Sequence, residues 1–153
     1  MFDVYASGRR VAQGVSPEQC WEIVSDHNGW QSWCPMIAES TLISDGEGEP
    51  NGLGAKRKLR DDQGGGFAEV INIYSKPRLF GYHICEEAPL KDHQGVISLT
   101  PTSEGTEIIW FMSANDNGYI TGEEQRQAMR KIMQDVMDAA LDGLVKACEA
   151  RGG

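Results

Sequence analysis

The last stretch of the chain, residues 121–153, constrains the fold most strongly because it has the pattern of one long amphipathic helix. Its apolar residues recur at steps of three and four, which places side chains on one helical face. They are Met129, Ile132, Met133, Val136, Met137, Ala140, Leu144, Val145 and Cys148. A helix of about 28 residues is about 42 Å long. We therefore predict a helix over Gly122–Ala150 that lies along a broad partner.

The apolar face of this helix changes character along its length. Its first half presents Met129, Met133 and Met137, whereas its second half presents aliphatic residues such as Leu144. Thioether side chains adapt to variable contents, and aliphatic groups suit a fixed core. The first half is therefore predicted to line a cavity and the second half to form the core.

Length and charge exclude several classes of protein. A chain of 153 residues fits one domain, residues 1–153, with one core. A net charge of -9 repels phosphate backbones and anionic membranes, so no nucleic-acid partner is expected. The first residues contain no basic lead or continuous apolar run, and no stretch approaches the ~20 apolar residues of a membrane span, so we expect an unexported protein. The scattered Cys20, Cys34, Cys85 and Cys148, with no CxxC pair, favour a reducing cytoplasm.

The rest of the chain predicts a strand, two short helices and six further strands. Ser16, Pro17 and Gln19 match a helix start with a capping box. A second short helix is expected over Trp30–Trp33, capped by Asp26, with His27 exposed. The predicted strands are Phe2–Ala12, Ala38–Ser44, Ala55–Arg60, Phe67–Tyr74, Leu79–Cys85, Gly95–Thr100 and Thr106–Ser113. Antiparallel hairpins before a terminal helix give an α+β fold, in which a curved seven-stranded sheet wraps the helix.

Landmarks in this order resemble a known family, the polyketide cyclase/dehydrase branch of the helix-grip (SRPBCC) superfamily, which includes START and birch-pollen-allergen-like proteins. The landmarks are the run Ser16–Asp26, then Trp30, Trp33 and Pro35, then Gly52–Arg57, then Pro77–Leu79, then Gly105, Thr106 and Trp110. The resemblance implies a helix-grip fold with a hydrophobic cavity between the sheet and the long helix. It implies no single reaction, because the superfamily includes cyclases, binders, carriers and co-chaperones.

Arg57 is the candidate polar residue of this cavity. It shares a strand face with Ala55 and Leu59, so one cation is expected on the apolar side of the sheet. In one interpretation Arg57 pairs with Glu69 on the neighbouring strand, since buried charges are usually paired. In the other, its guanidinium holds a carbonyl or anionic oxygen of a ligand, as the resemblance to the cyclases implies. Both can hold together.

Aromatic residues and methionines supply the remaining predicted lining. The predicted ligand-binding set is Trp30, Trp33, Arg57, Tyr82, Trp110, Met112, Met129, Met133 and Met137. Trp110 could equally be ordinary core, and Trp30 and Trp33 could pack on the sheet or line the cavity mouth. Tyr82 and His83 occupy opposite strand faces, and the more apolar face favours Tyr82. The acidic loops 45–52 and 114–119 are expected to rim the entrance.

Other chemistries find little support in the sequence. His83, Cys85 and His93 match no established zinc spacing, so we expect no metal and no cofactor. No nucleophile triad, phosphate loop or dinucleotide fingerprint occurs. We predict a monomer or homodimer and, from the resemblance together with the aromatic and thioether lining, a small hydrophobic ligand, aromatic or polyketide-like. The alternative is a cyclase or dehydratase in which Arg57, helped by Tyr82, polarises a carbonyl.

Overall fold

The computed structural model of the protein describes residues 2–86 and 88–152, so Gly153, the end of the predicted helical stretch, lies outside it. The elements in chain order are β1 (Val4–Gln13), α1 (Pro17–Val24), a 3₁₀ helix (His27–Ser32), β2 (Glu39–Ser44), β3 (Lys56–Arg60), β4 (Gly66–Ser75), β5 (Leu79–Ile84), β6 (Leu90–Pro101), β7 (Gly105–Asp116) and α2 (Glu123–Gly152). In the described residues no helix has the length and apolar character that a membrane crossing requires.

The seven strands form one antiparallel sheet in the order β1-β7-β6-β5-β4-β3-β2. Strands β2 to β7 pair with their neighbours in sequence, as short hairpin connections allow. Strand β1 lies at the opposite edge, beside β7. With the long C-terminal helix, this arrangement confirms the predicted α+β helix-grip fold.

The first short helix has the predicted cap, but the second does not. Ser16 accepts a hydrogen bond from the Gln19 N–H, and the Gln19 side chain accepts one from the Ser16 N–H, which completes the capping box of α1. Asp26 precedes the 3₁₀ helix without a side-chain capping bond. His27 is fully buried instead of exposed. Its Nε2 lies 2.9 Å from the Asn51 carbonyl oxygen, and its ring packs near Phe80.

Helix α2 is continuous, as predicted, but its buried face differs in two places. Leu141 is fully buried although the predicted face omitted it, and Ile132 is 53% exposed although the predicted face included it. The two residues are two and a half turns apart at 3.6 residues per turn, so they point in opposite directions. Leu141 packs against Gly8 of β1, where a side chain would not fit, because a Cβ at Gly8 would collide with the Leu141 side chain.

Burial follows the predicted halves of α2 in part. Leu144 and Cys148 of the second half are fully buried in the core, whereas Met129 and Met133 of the first half are only partly buried. Met137, which the prediction assigned to the first half, is 4% exposed, and Val145 of the second half is only partly buried. The first half of α2 therefore leaves space between itself and the sheet.

Candidate functional site

A cavity of about 370 Å³ lies between the sheet and the first half of α2. Four aromatic residues line it: Trp30 from the 3₁₀ helix, Phe67 from β4, Tyr82 from β5 and Trp110 from β7. Met112, Met133 and Met137 add thioether groups, and Leu59, Val136 and Ala140 add aliphatic ones. This lining suits an apolar ligand, and the volume is at the lower end of the ~300–1,000 Å³ of ligand pockets.

Three residues of the predicted ligand-binding set lie outside this lining: Trp33, Arg57 and Met129. Trp33 packs behind Trp30, with ring centroids 4.7 Å apart. Met129 lies one helical turn before Met133 and is partly buried. The other six, Trp30, Tyr82, Trp110, Met112, Met133 and Met137, all line the cavity.

Arg57 is buried behind Glu69. Its Nε and Nη2 donate hydrogen bonds of 3.1 and 2.8 Å to Glu69 Oε1, and the side chains of Arg57 and Glu69 are 0% and 3% exposed. The pairing follows from the sheet, since the two residues are register partners on β3 and β4. Glu69 lines the cavity and Arg57 does not. The structure therefore agrees with the interpretation in which Arg57 pairs with Glu69 on the neighbouring strand.

Aromatic rings surround the Arg57 guanidinium. Its Cζ lies 3.9 Å from the ring centroid of Trp30, 4.9 Å from that of Tyr82 and 5.6 Å from that of Phe80. Trp30 is held in place by a hydrogen bond from its Nε1 to the Val24 carbonyl. Cation–π attraction adds to the ion pair, so Arg57 fixes the positions of both Glu69 and the ring wall.

Burial raises the pKa values of Glu69 and of Cys34. It raises the pKa of the Glu69 carboxyl, and the Arg57 charge offsets part of that effect. Burial also raises the pKa of the Cys34 thiol, which lines the cavity, to about 11. Since the thiolate is the reactive form, Cys34 acts as a small apolar wall residue at neutral pH.

Tyr82 lines the cavity and carries a hydroxyl group that is hydrogen-bonded within the wall. The Trp110 Nε1–H donates to the Tyr82 hydroxyl oxygen at 2.9 Å. Burial raises the pKa of Tyr82, as does the nearby Glu69 carboxylate, so the phenol stays neutral. Its ring lies against Gly95 of β6, where any Cβ would collide with the ring. Tyr82 is therefore a neutral hydroxyl group in a fixed position.

His93 lines the same cavity from β6. Its Nδ1 accepts a 3.2 Å hydrogen bond from the Ile84 N–H, so in the neutral ring Nε2 carries the proton. Burial lowers the pKa of His93 to about 4, and the charges of His83 and Arg57 act in the same direction. His93 is therefore neutral at pH 7 and is a hydrogen-bond donor through Nε2.

The predicted entrance is wrong. The exposed lining residues are Met36, Arg60, Asp61 and Gly66, so the mouth lies near the connection into β2 and the β3–β4 turn. Among the described residues, the acidic loops 45–52 and 114–119 contribute nothing to the lining. The mouth carries one cation and one anion in place of an acidic rim.

A second hollow, of about 460 Å³, lies beside α1. Trp21 and Tyr74 line it, but so do three carboxylates, Glu18, Glu22 and Glu49. Such a surface suits an apolar ligand poorly, because the ligand would displace water from these three exposed carboxylates without offering them a partner. The cavity under α2 is the better candidate.

Sequence reasoning missed Glu69 and His93 as cavity residues. Glu69 could have been found, because it alternates with Phe67 and Ile71 on the inward face of β4. His93 could not, because the predicted strand began at Gly95 and left His93 in a loop. The register of β6 is irregular between Lys91 and Gln94, and such bulges redirect side chains.

The chain matches a family model described as "Polyketide cyclase / dehydrase and lipid transport" over residues 3–149. It therefore belongs to this family, which confirms the resemblance found in the sequence. Family and fold are those of hydrophobic-ligand-binding or polyketide-cyclase-type proteins. No curated protein matches the chain significantly.

Several solved structures share the fold. A protein from Thermus thermophilus has a TM-score of 0.78 and 16% identity, covering 95% of this chain and 97% of its own. The Zhui aromatase/cyclase from Streptomyces sp. R1128 has a TM-score of 0.76 and 17% identity, covering 96% and 94%. A START superfamily protein from Mycobacterium smegmatis has a TM-score of 0.68 and 18% identity, covering 96% and 95%. At these identities the likeness concerns the fold alone.

Proposed function

We propose that this member of the polyketide cyclase/dehydrase and lipid transport family binds a small, planar, largely apolar metabolite, aromatic or polyketide-like, in the cavity under α2. The lining supports the proposal. Trp30, Tyr82 and Trp110 offer aromatic faces, while Met133 and Met137 offer adaptable thioethers. A compact volume of about 370 Å³ favours fused rings over long acyl chains.

The proposal is tested by calorimetric titration with naphthol-like and flavonoid-like probes against fatty acids. We expect the aromatic probes to bind and the fatty acids to bind at least about tenfold more weakly, a difference of about 1.4 kcal/mol. Fatty acids that bind tighter than every aromatic probe would contradict the proposal. Native mass spectrometry of the purified protein would show whether an aromatic compound is retained.

A matched pair of variants on α2 locates the binding site. Met133→Trp fills the cavity, because Met133 lines it, and should abolish probe binding. Ile132→Trp adds the same ring one residue away on an exposed position and should leave binding unchanged. Equal effects of the two variants would place the ligand elsewhere.

The second candidate function is an enzyme of the cyclase or dehydratase type. It is favoured by two titratable groups in the lining, Glu69 and His93, since acid–base steps need such groups. Arg57 would then act on Glu69, because Arg57 does not line the cavity. Dehydration of a β-hydroxy aryl ketone, followed by the absorbance of the enone, tests this function. Turnover by the wild type that is lost in Glu69→Gln would support the enzyme function. If the wild type shows no turnover, the enzyme function is contradicted and the binding function stands.

A further inference from the structure

The polar atoms of the cavity wall have a definite pattern of donors and acceptors. Glu69 Oε1 receives both hydrogen bonds from Arg57. Glu69 Oε2 accepts no hydrogen bond from any residue in 2–86 or 88–152, and it is not among the fully enclosed atoms that have no partner. Since Glu69 lines the cavity, Oε2 is an acceptor that a ligand can reach.

Tyr82 and His93, which line the same cavity, present hydrogen-bond donors. The Tyr82 oxygen already accepts from Trp110, and its O–H donates to no described residue. His93 uses Nδ1 as an acceptor from Ile84, so its Nε2–H is its donor. These residues and Glu69 line one cavity, and the rings of Tyr82 and His93 are 5.7 Å apart.

The Arg57 guanidinium is not available to a ligand as a hydrogen-bond donor. Two of its nitrogens bind Glu69 Oε1, and its third, Nη1, is buried with no hydrogen-bond partner among the described residues. Because Arg57 lies outside the lining, the charged oxygen that a ligand meets belongs to Glu69. This polarity is opposite to that of the second interpretation of Arg57, in which its guanidinium holds a carbonyl or anionic oxygen of the ligand.

We propose, resting on the proposed function, that the ligand is a neutral aromatic compound with a hydroxyl group and a carbonyl group. The hydroxyl donates to Glu69 Oε2, and the carbonyl oxygen accepts from the Tyr82 O–H or the His93 Nε2–H. Glu69 is the specificity-determining residue, because a charged acceptor forms the stronger kind of hydrogen bond with a hydroxyl donor. A site built to bond a hydroxyl rejects analogues that lack it.

An anionic ligand is disfavoured at this wall. A ligand carboxylate beside Glu69 would place two like charges at close range in a poorly solvated site. The mouth offers little compensation, since Arg60 stands beside Asp61. The net charge of -9 adds a long-range repulsion.

The test compares three naphthalenes of similar shape with the wild-type protein at pH 7, by calorimetric titration. They are 2-naphthol, 2-methylnaphthalene, which replaces the hydroxyl with a methyl group, and 2-naphthoate, which is anionic. We expect 2-naphthol to bind about tenfold tighter than 2-methylnaphthalene, and 2-naphthoate to bind weakest. Equal affinities of the first two, or a preference for 2-naphthoate, overturn the inference while the binding function stands. Failure of all three to bind overturns both.

Variants assign the effect to named atoms. Glu69→Gln should lower the preference for 2-naphthol over 2-methylnaphthalene severalfold, whereas the control Glu104→Gln, on an exposed loop outside the lining, should keep it. Tyr82→Phe should weaken 2-acetylnaphthalene relative to 2-isopropylnaphthalene and leave the 2-naphthol preference unchanged. An unchanged 2-naphthol preference in a folded Glu69→Gln protein contradicts the role of Glu69. Because the wild-type comparison needs no variant, poor folding of Glu69→Gln leaves the inference testable.

Discussion

Replacing Arg57 with methionine tests whether this residue holds the wall or the ligand. In the wild type, Arg57 makes two hydrogen bonds to Glu69 Oε1 and lies 3.9 Å from the Trp30 ring centroid. The variant Arg57→Met replaces the guanidinium with an unbranched apolar side chain and leaves the Glu69 carboxylate buried without its cation. We expect a large loss of stability, and only an indirect effect on ligand affinity.

The size of the loss follows from the burial of the pair. The side chains of Arg57 and Glu69 are 0% and 3% exposed, so solvent screens their interaction little. Removing one partner of a buried pair costs about 3–5 kcal/mol, whereas an exposed pair costs about 0–1 kcal/mol. Arg9→Met, which breaks the exposed pair with Glu107, is the matched control.

Chemical denaturation at pH 7 measures both losses. The double variant Arg57→Met/Glu69→Gln should be more stable than Arg57→Met, because it leaves no buried charge unpaired. A loss below about 1 kcal/mol for Arg57→Met would refute the reasoning. So would a double variant no more stable than Arg57→Met.

The loss should also depend on pH. Burial raises the pKa of Glu69 above its ordinary value, and the Arg57 charge offsets part of this rise. Because Arg57→Met removes that charge, the pKa of Glu69 is expected to be still higher in the variant. The folded variant then binds a proton more tightly than the unfolded chain, and stability falls as pH rises from the ordinary glutamate range through the raised pKa. The deficit of Arg57→Met should therefore be larger at pH 8 than at pH 5.

Two further predictions concern the division of α2 and the neutral ring of His93. Leu144→Ala should cost about 2–5 kcal/mol in chemical denaturation and Met133→Ala clearly less, since Leu144 is fully buried and Met133 faces the cavity; equal losses would contradict the division. Burial lowers the pKa of His93 from 6.5 to about 4, so its contribution to stability is present above pH 6.5 and is lost as pH falls toward 4. His93→Gln should therefore flatten the decline in stability between pH 7 and pH 4.5, and an unchanged slope would argue against a buried neutral ring.

Periodic patterns predicted the fold because each depends on local geometry. The capping box at Ser16 and Gln19 depends on residues within one helical turn, and the alternation that buries Trp110 and exposes Ile109 repeats every two residues. The helix α2 follows from a period of 3.6 residues. Such features need no knowledge of distant parts of the chain.

The polar residues of the cavity wall were harder to predict, because the sequence does not show how far each inward-facing side chain lies from the cavity. Alternation placed Arg57 on the inward face, and it is indeed buried, but alternation does not say which member of an ion pair lies nearer to the space. Glu69 covers Arg57 on the cavity side. His93 enters through an irregular register in β6, which breaks the period of two on which the prediction relied.

The measurement that tests the account most directly is a crystal structure of the protein with 2-naphthol. We predict the ring between Trp110 and Met137 under α2, with the hydroxyl oxygen about 2.7 Å from Glu69 Oε2. A ring seated outside this cavity, for example in the hollow beside Trp21, would contradict the proposed binding site. A ring inside the cavity with its hydroxyl turned away from Glu69 would contradict the proposed specificity.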